Sequence, residues 1–120
     1  MLSVRTSKGN VQWKLGSLDE TAEMIFSYGY CAEFARTLYL KNSNLTISYY
    51  ECEDGTPDHF FCSDGIYWYD ILGKHSIDTI PKYRSVVEDI ELDEVDQHIG
   101  DFNDCSLAES IISEYLERYF

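Results

Sequence analysis

Three residues in a fixed order carry whatever covalent chemistry this chain has: Cys31, His59 and Asp70. Cys31 follows Gly29 and Tyr30 and opens the amphipathic run CAEFARTLYL, so it stands where a helix begins. Unpaired N–H groups and the helix dipole at such a position stabilise a thiolate, the nucleophilic form of cysteine. The same N–H groups are placed to hold the oxyanion of a tetrahedral intermediate. A nucleophilic sulfur needs a base within hydrogen-bond reach. His59, directly after the turn TPD, is the candidate. A third group should accept from the far ring nitrogen and orient the imidazole. Asp70 is suited to this: the stretch FFCSDGIYWY between the two residues reads as strand, turn and strand. His59 and Asp70 then become neighbours across a hairpin if they share one face of the sheet.

The elements that must position these residues follow from local pattern. Residues 1–16 read as an irregular or short-strand segment in which Val11 and Trp13 alternate with polar neighbours. Ser17, with Glu20 three residues on, forms a capping box for a first helix over SLDETAEMIFSYG, stopped by Gly29. Cys31, Phe34, Ala35 and Leu38 lie at i, i+3, i+4 and i+7, which predicts a second helix ending near Leu40. The period then changes. LTISYYECE (45–53), HFFCS (59–63) and IYWYDIL (66–72) are rich in β-branched and aromatic residues and are separated by EDGTPD and SDG, giving an antiparallel meander. HSIDTIP reads as a short strand or extended loop, and 83–99 as a helix broken near Gly100. Ser106 and Glu109 form a second capping box for a closing helix whose Leu107, Ile111, Tyr115 and Leu116 face inward. The expected fold is α+β: N-terminal helices on a small antiparallel meander sheet with a C-terminal helix, in one domain over 1–120.

The pattern GYCAEFARTLY followed by DHFFCSDGIYWYDILGKHS resembles a compact papain-like fold of the NlpC type, over about residues 18–80. Small bacterial and phage-associated members use the order Cys, His, polar residue. The resemblance implies Cys31 as nucleophile, His59 as base and Asp70 as orienter. It also implies amide or thioester hydrolysis, deamidation or transglutamination without a cofactor. One departure concerns the oxyanion. Papain-like peptidases carry a Gln shortly before the nucleophile, whereas residues 24–30 read MIFSYGY. Its role would fall to Tyr28, Tyr30 or the Cys31 N–H.

Bulk composition narrows the partners. The chain has 120 residues, 44% of them hydrophobic and 15% aromatic, enough to bury a core without disulfides or a structural metal. Its 22 acidic and 9 basic side chains give a formal charge of −13, a field that repels nucleic acid and anionic membranes. No segment approaches the roughly 20 apolar residues of a bilayer span, and MLSVRTSKGNVQWKLG lacks a signal-peptide core. A cytoplasmic location is therefore expected. The substrate class is an amide-containing protein or peptide. The alternative function is non-catalytic: residues 85–117 contain no Lys or Arg and half of the acidic residues, a surface for inhibiting or neutralising a basic partner.

The remaining residues read more plainly. Cys52, Cys62 and Cys105 form no C-x-x-C pair and are expected to be free thiols, with Cys52 and Cys62 on neighbouring strands. His75 and His98 lack ligand spacing, and His75 stands as the reserve base should the hairpin register differ. The aromatic cluster from Tyr49 to Tyr69 is sheet core. DEVDQHIGDFND lacks the ligand order and closing Glu of a calcium loop.

Overall fold

Three runs rich in β-branched and aromatic residues, with the short polar strand GKHS after them, build the meander between Thr46 and Ser76 that organises the molecule. They form β3 (Thr46–Glu51), β4 (Pro57–Ser63), β5 (Tyr67–Asp70) and β6 (Gly73–Ser76). In the computed structural model, which describes residues 1–82, 84–99 and 105–120, a fifth strand joins them. This is the two-residue β7 (Val86–Val87), which returns to pair with β3. The antiparallel order is β6-β5-β4-β3-β7. The chain is thus α+β, with a separate N-terminal hairpin of β1 (Leu2–Thr6) and β2 (Gly9–Trp13) and, among the described residues, four α-helices.

The helices are α1 (Glu20–Ser27), α2 (Cys31–Lys41), α3 (Leu92–Asp96) and α4 (Ser106–Tyr119). Helix α2 lies against β4, and the Cys62 thiol donates to the Ala35 carbonyl at 3.2 Å. An aromatic chain ties the layers together. Trp13 meets Phe26 at 6.1 Å, Phe26 meets Phe34 at 5.6 Å, and Phe34 meets Tyr115 edge-on at 4.9 Å. Edge-to-face rings at such spacings add to the free energy of burial. These residues belong to one contiguous core that runs from Val4 to Tyr115.

Several boundaries differ from the sequence expectation. Residues 1–16 contain a paired hairpin closed by Ser7 and Lys8, with Thr6 opposite Gly9. The cap of α1 is Asp19, whose carboxylate accepts from the Ala22 N–H at 3.0 Å, while the Ser17 carbonyl takes the Trp13 indole N–H. Cys105 rather than Ser106 occupies the N-cap of α4. That helix turns Ala108 and Ile112 fully inward with Ile111 and Tyr115, leaving Leu107 and Leu116 half-buried. Residues 84–99 hold β7 and the single-turn α3 instead of a longer helix, and the break expected at Gly100 lies outside the described residues. After β6 a 3-10 turn covers Ile77–Thr79. All four cysteines are free, and Cys62 sits opposite Ile47, not Cys52. Among the described residues no helix is long and apolar enough to cross a membrane.

Candidate active site

Cys31 is the first residue of α2, and the loop before it is shaped by two contacts. The Ser7 N–H donates to the Tyr28 carbonyl at 2.8 Å, seating the β1–β2 turn against this loop. Gly29 then takes φ +138°, a value that side chains disfavour, and reverses the chain into α2. Tyr30, the N-cap, gives no side-chain hydrogen bond. The first N–H groups of α2 have no intrahelical acceptors, so the positive end of the helix is open beside the thiol.

His59 and Asp70 come from adjacent strands. The pairs Cys62–Tyr69 and Ser63–Trp68 set the β4–β5 register. With a side-chain period of two, His59, Phe61 and Ser63 share one face of the sheet with Trp68 and Asp70. The His59 Nε2 lies 3.0 Å from Asp70 Oδ2, and both side chains are buried. The Cys31 side chain lines the same cleft as this imidazole and acts on its charge. Cys31, the His59 ring and the Asp70 carboxylate are therefore gathered at one cleft, with the ring bonded to the carboxylate.

Electrostatics follow from those contacts. Burial works against a charge on His59, but the hydrogen bonds from Asp70 and Cys31 outweigh it and hold the imidazole at about 9. Burial likewise penalises the Asp70 carboxylate, yet hydrogen bonds from His59 and His75 keep it below the usual carboxylate range. The result is an imidazolium bonded to a carboxylate in the cleft that Cys31 also lines.

The trio opens into a cleft of about 500 Å³. Ser7, Tyr28 and Gly29 reach it from the turns, while Tyr50, Asp58, Trp68 and Leu72 reach it from the sheet. Of the oxyanion donors expected from the sequence, Tyr28 lines the cleft, with Lys8 Nζ 5.2 Å from its ring centroid, whereas Tyr30 packs against the core. Tyr50 was hidden in the aromatic cluster of the sequence. Its hydroxyl is pushed up to about 12 by burial and then by Asp58 and Asp70, so it stays a neutral donor in the cleft. Asp58 is met by Arg84 at 3.5 Å.

His75, expected only as a reserve base, meets the Asp70 carboxylate instead. Its Nε2 lies 2.7 Å from Asp70 Oδ1, and its ring stacks on Trp68 at 4.2 Å. The only sequence signal was the short D-I-L-G turn, which sets Asp70 opposite Gly73 and Trp68 opposite His75. His98 instead lies against Phe60 and Tyr49, away from the cleft. Among the described residues, no group of three or more His, Cys, Asp or Glu side chains is arranged to hold a metal ion.

The acidic stretch is partly neutralised. Asp96 pairs with Arg36 at 2.7 Å and Glu109 with Lys41 at 3.7 Å, while Glu114 meets Arg118 within α4. Asp101 and Asp104 lie outside the described residues. No protein-family model, curated protein sequence or solved structure matches this chain.

Proposed function

We propose that this protein is a cysteine-dependent amide hydrolase or deamidase with a papain-like arrangement, in which Cys31 is nucleophile, His59 acid–base and Asp70 orienter. The observation that carries the reading is one cleft lined by Cys31, His59 and Asp70, with the His59 ring bonded to the Asp70 carboxylate. A lone cysteine or a buried histidine–carboxylate pair is common in protein cores. The three together, with the sulfur at an open helix N-terminus, form a nucleophile, base and orienter set.

In this reading the Cys31 sulfur attacks the carbonyl carbon of an amide while the proton rests on His59. The tetrahedral oxyanion is met by the Cys31 N–H and the Tyr50 hydroxyl. The C–N bond then breaks, and His59 delivers its proton to the departing nitrogen, as ammonia from a side-chain amide or an amine from a peptide. Water attacks the resulting thioester, giving its proton to His59, and the carboxylic acid leaves as the thiol is restored. Asp70 holds the ring throughout and remains ionised. No cofactor enters the sequence of steps. An open cleft of this size accommodates a side chain or short peptide segment of a protein substrate. The chain is placed in the cytoplasm, where free thiols such as its four cysteines persist.

The test is site-resolved alkylation. Wild type and His59→Ala are treated with iodoacetamide from pH 5.5 to 9, and each cysteine is quantified by mass spectrometry. Cys31 is expected to react at pH 6.5 well ahead of Cys52 and Cys105, and to lose that advantage in His59→Ala. Equal reactivity among the three would sink the reading. A positive result directs a search for ammonia or amine release from proteins, with Cys31→Ala as control.

One observation favours a second reading, a docking surface for a basic protein. Glu88, Asp89, Glu91 and Asp93 are exposed in succession around the buried Ile90, and no ion pair engages them among the described residues. Salt-sensitive binding of a basic protein that survives Cys31→Ala but not charge reversal of these four would establish it.

A further inference from the structure

Asp70 is shared. Its Oδ2 takes His59 at 3.0 Å, and its Oδ1 takes both the Leu72 N–H at 3.0 Å and the His75 ring at 2.7 Å. The carboxylate is 5% exposed and every contact on it is a donor, so its charge is spread over three N–H groups. Of the two imidazoles, His75 makes the shorter contact, although it is the more solvent-exposed. It is also braced from behind. Trp68 lies under its ring at 4.2 Å, and the Trp68 indole N–H donates to the Thr79 hydroxyl at 2.9 Å. That hydroxyl in turn donates to the Ser76 carbonyl at 2.6 Å. A strand-end histidine with no role needs neither the brace nor the bond.

We propose that His75 is a positioning residue of the cleft: it fixes the Asp70 carboxylate through Oδ1 and divides that carboxylate between two imidazoles, restraining its pull on His59. The inference deepens the hydrolase reading, and its catalytic meaning rests on that reading. Its physical part, the coupling of two histidines through one carboxylate, stands by itself.

The argument is one of balance. A general acid–base must both take and release its proton, so its pKa is best placed near the working pH, and the strength of the carboxylate's bond to the ring moves that pKa. A second donor on the other oxygen withdraws electron density from the first bond. The groups facing the pair do not duplicate this effect. Cys31 on α2 favours the charged His59, Asp58 on β4 is met by Arg84, and Tyr50 on β3 is neutral. Loss of His75 leaves Asp70 anchored by the Leu72 N–H and, through its main-chain carbonyl, by the Tyr115 hydroxyl at 2.6 Å. The carboxylate therefore stays in place and its undivided charge falls on His59.

The experiment compares wild type, His75→Phe and His75→Gln by ring-nitrogen NMR titration and by the pH profile of Cys31 alkylation. Phe keeps a flat ring on Trp68 and removes the donor, whereas Gln can return an N–H to Oδ1. The expected result in His75→Phe is an upward shift of the His59 midpoint by about 0.5 pH unit or more, the size of one hydrogen bond's influence. His75→Gln should recover at least half of it. In wild type, the His75 Nε2 should carry the proton. An unshifted His59 in His75→Phe overturns the proposal, and so does a wild-type His75 with a bare Nε2, a result that needs no variant to fold. If His59 shifts but Cys31 alkylation is indifferent to His59→Ala, the coupling holds and the hydrolase reading is what fails.

Discussion

The Tyr115 hydroxyl donates to the main-chain carbonyl of Asp70 at 2.6 Å, joining the last helix to the strand end that carries the carboxylate. It also reaches the Gly73 carbonyl at 3.3 Å, and the whole side chain is buried. Tyr115→Phe removes the only donor on that contact and leaves buried carbonyls short of a partner. The expected loss is about 1–3 kcal/mol in urea denaturation, with a slower Cys31 alkylation below pH 7 as Asp70 loosens. A variant as stable as wild type would show that the bond is dispensable.

Cys31 should set the titration of His59. The sulfur contributes both a hydrogen bond and a charge that favour the imidazolium. Cys31→Ala is therefore expected to lower the His59 midpoint from about 9, read from ring-nitrogen NMR shifts. The linked stability has a defined sign. His59 is raised above its unfolded value of 6.5, so its contribution is complete below that pH and lost as pH rises through about 9. Denaturation midpoints of wild type should fall across that interval, and those of His59→Gln should not.

Glu33 should impose a separate slope at lower pH. It lies in the first turn of α2, is 5% exposed, and its Oε2 has no hydrogen-bond partner among the described residues. Burial pushes it up to about 7, against a smaller opposing effect of its own N–H. For an acid raised in the folded state, the unfolded chain ionises first. Stability is thus undiminished below the ordinary value of 4.5 and declines as pH rises to about 7. Glu33→Gln should be more stable than wild type by about 1–3 kcal/mol at pH 8 and lose that advantage at pH 4.5. Equal slopes for the two proteins would contradict the assignment.

Gly73 is expected to resist substitution. It holds φ +126°, and a Cβ there would lie 2.9 Å from the Tyr119 ring and hydroxyl. Gly73→Ala should cost about 1–3 kcal/mol from the backbone alone. It should also shift the β5–β6 turn that carries Asp70 and His75, read as changed ring-nitrogen shifts for both histidines.

The sequence was most legible where one physical rule acted alone. Helix α2 begins and ends near its expected limits because Phe34, Ala35 and Leu38 mark an uninterrupted apolar stripe. The β4–β5 hairpin was legible because Asp64 and Gly65 leave little choice of turn. Both capping boxes misled. The pattern of Ser with Glu three residues on is local, whereas the true caps depend on where the chain is already held: Trp13 claims the Ser17 carbonyl, which leaves Asp19 to cap α1. The N-terminal hairpin was obscured because its strands carry only a few apolar residues and are fixed by docking Ser7 on Tyr28. Tyr50 escaped, and His75 was read only as a reserve base, for a different reason. Their importance lies in pairings across strands, which spacing along the chain does not encode.

The order of synthesis has a consequence for the sulfur. Cys31 and the start of α2 leave the ribosome well before β5 supplies Asp70, and α4 brings Tyr115 later still. A nascent chain thus exposes the thiol without its imidazole–carboxylate partner and with no bond from Tyr115 to lock the strand end. The cluster of Cys31, His59 and Asp70 is complete only once β5 has joined the sheet, so a chain that stops before β5 carries Cys31 without Asp70.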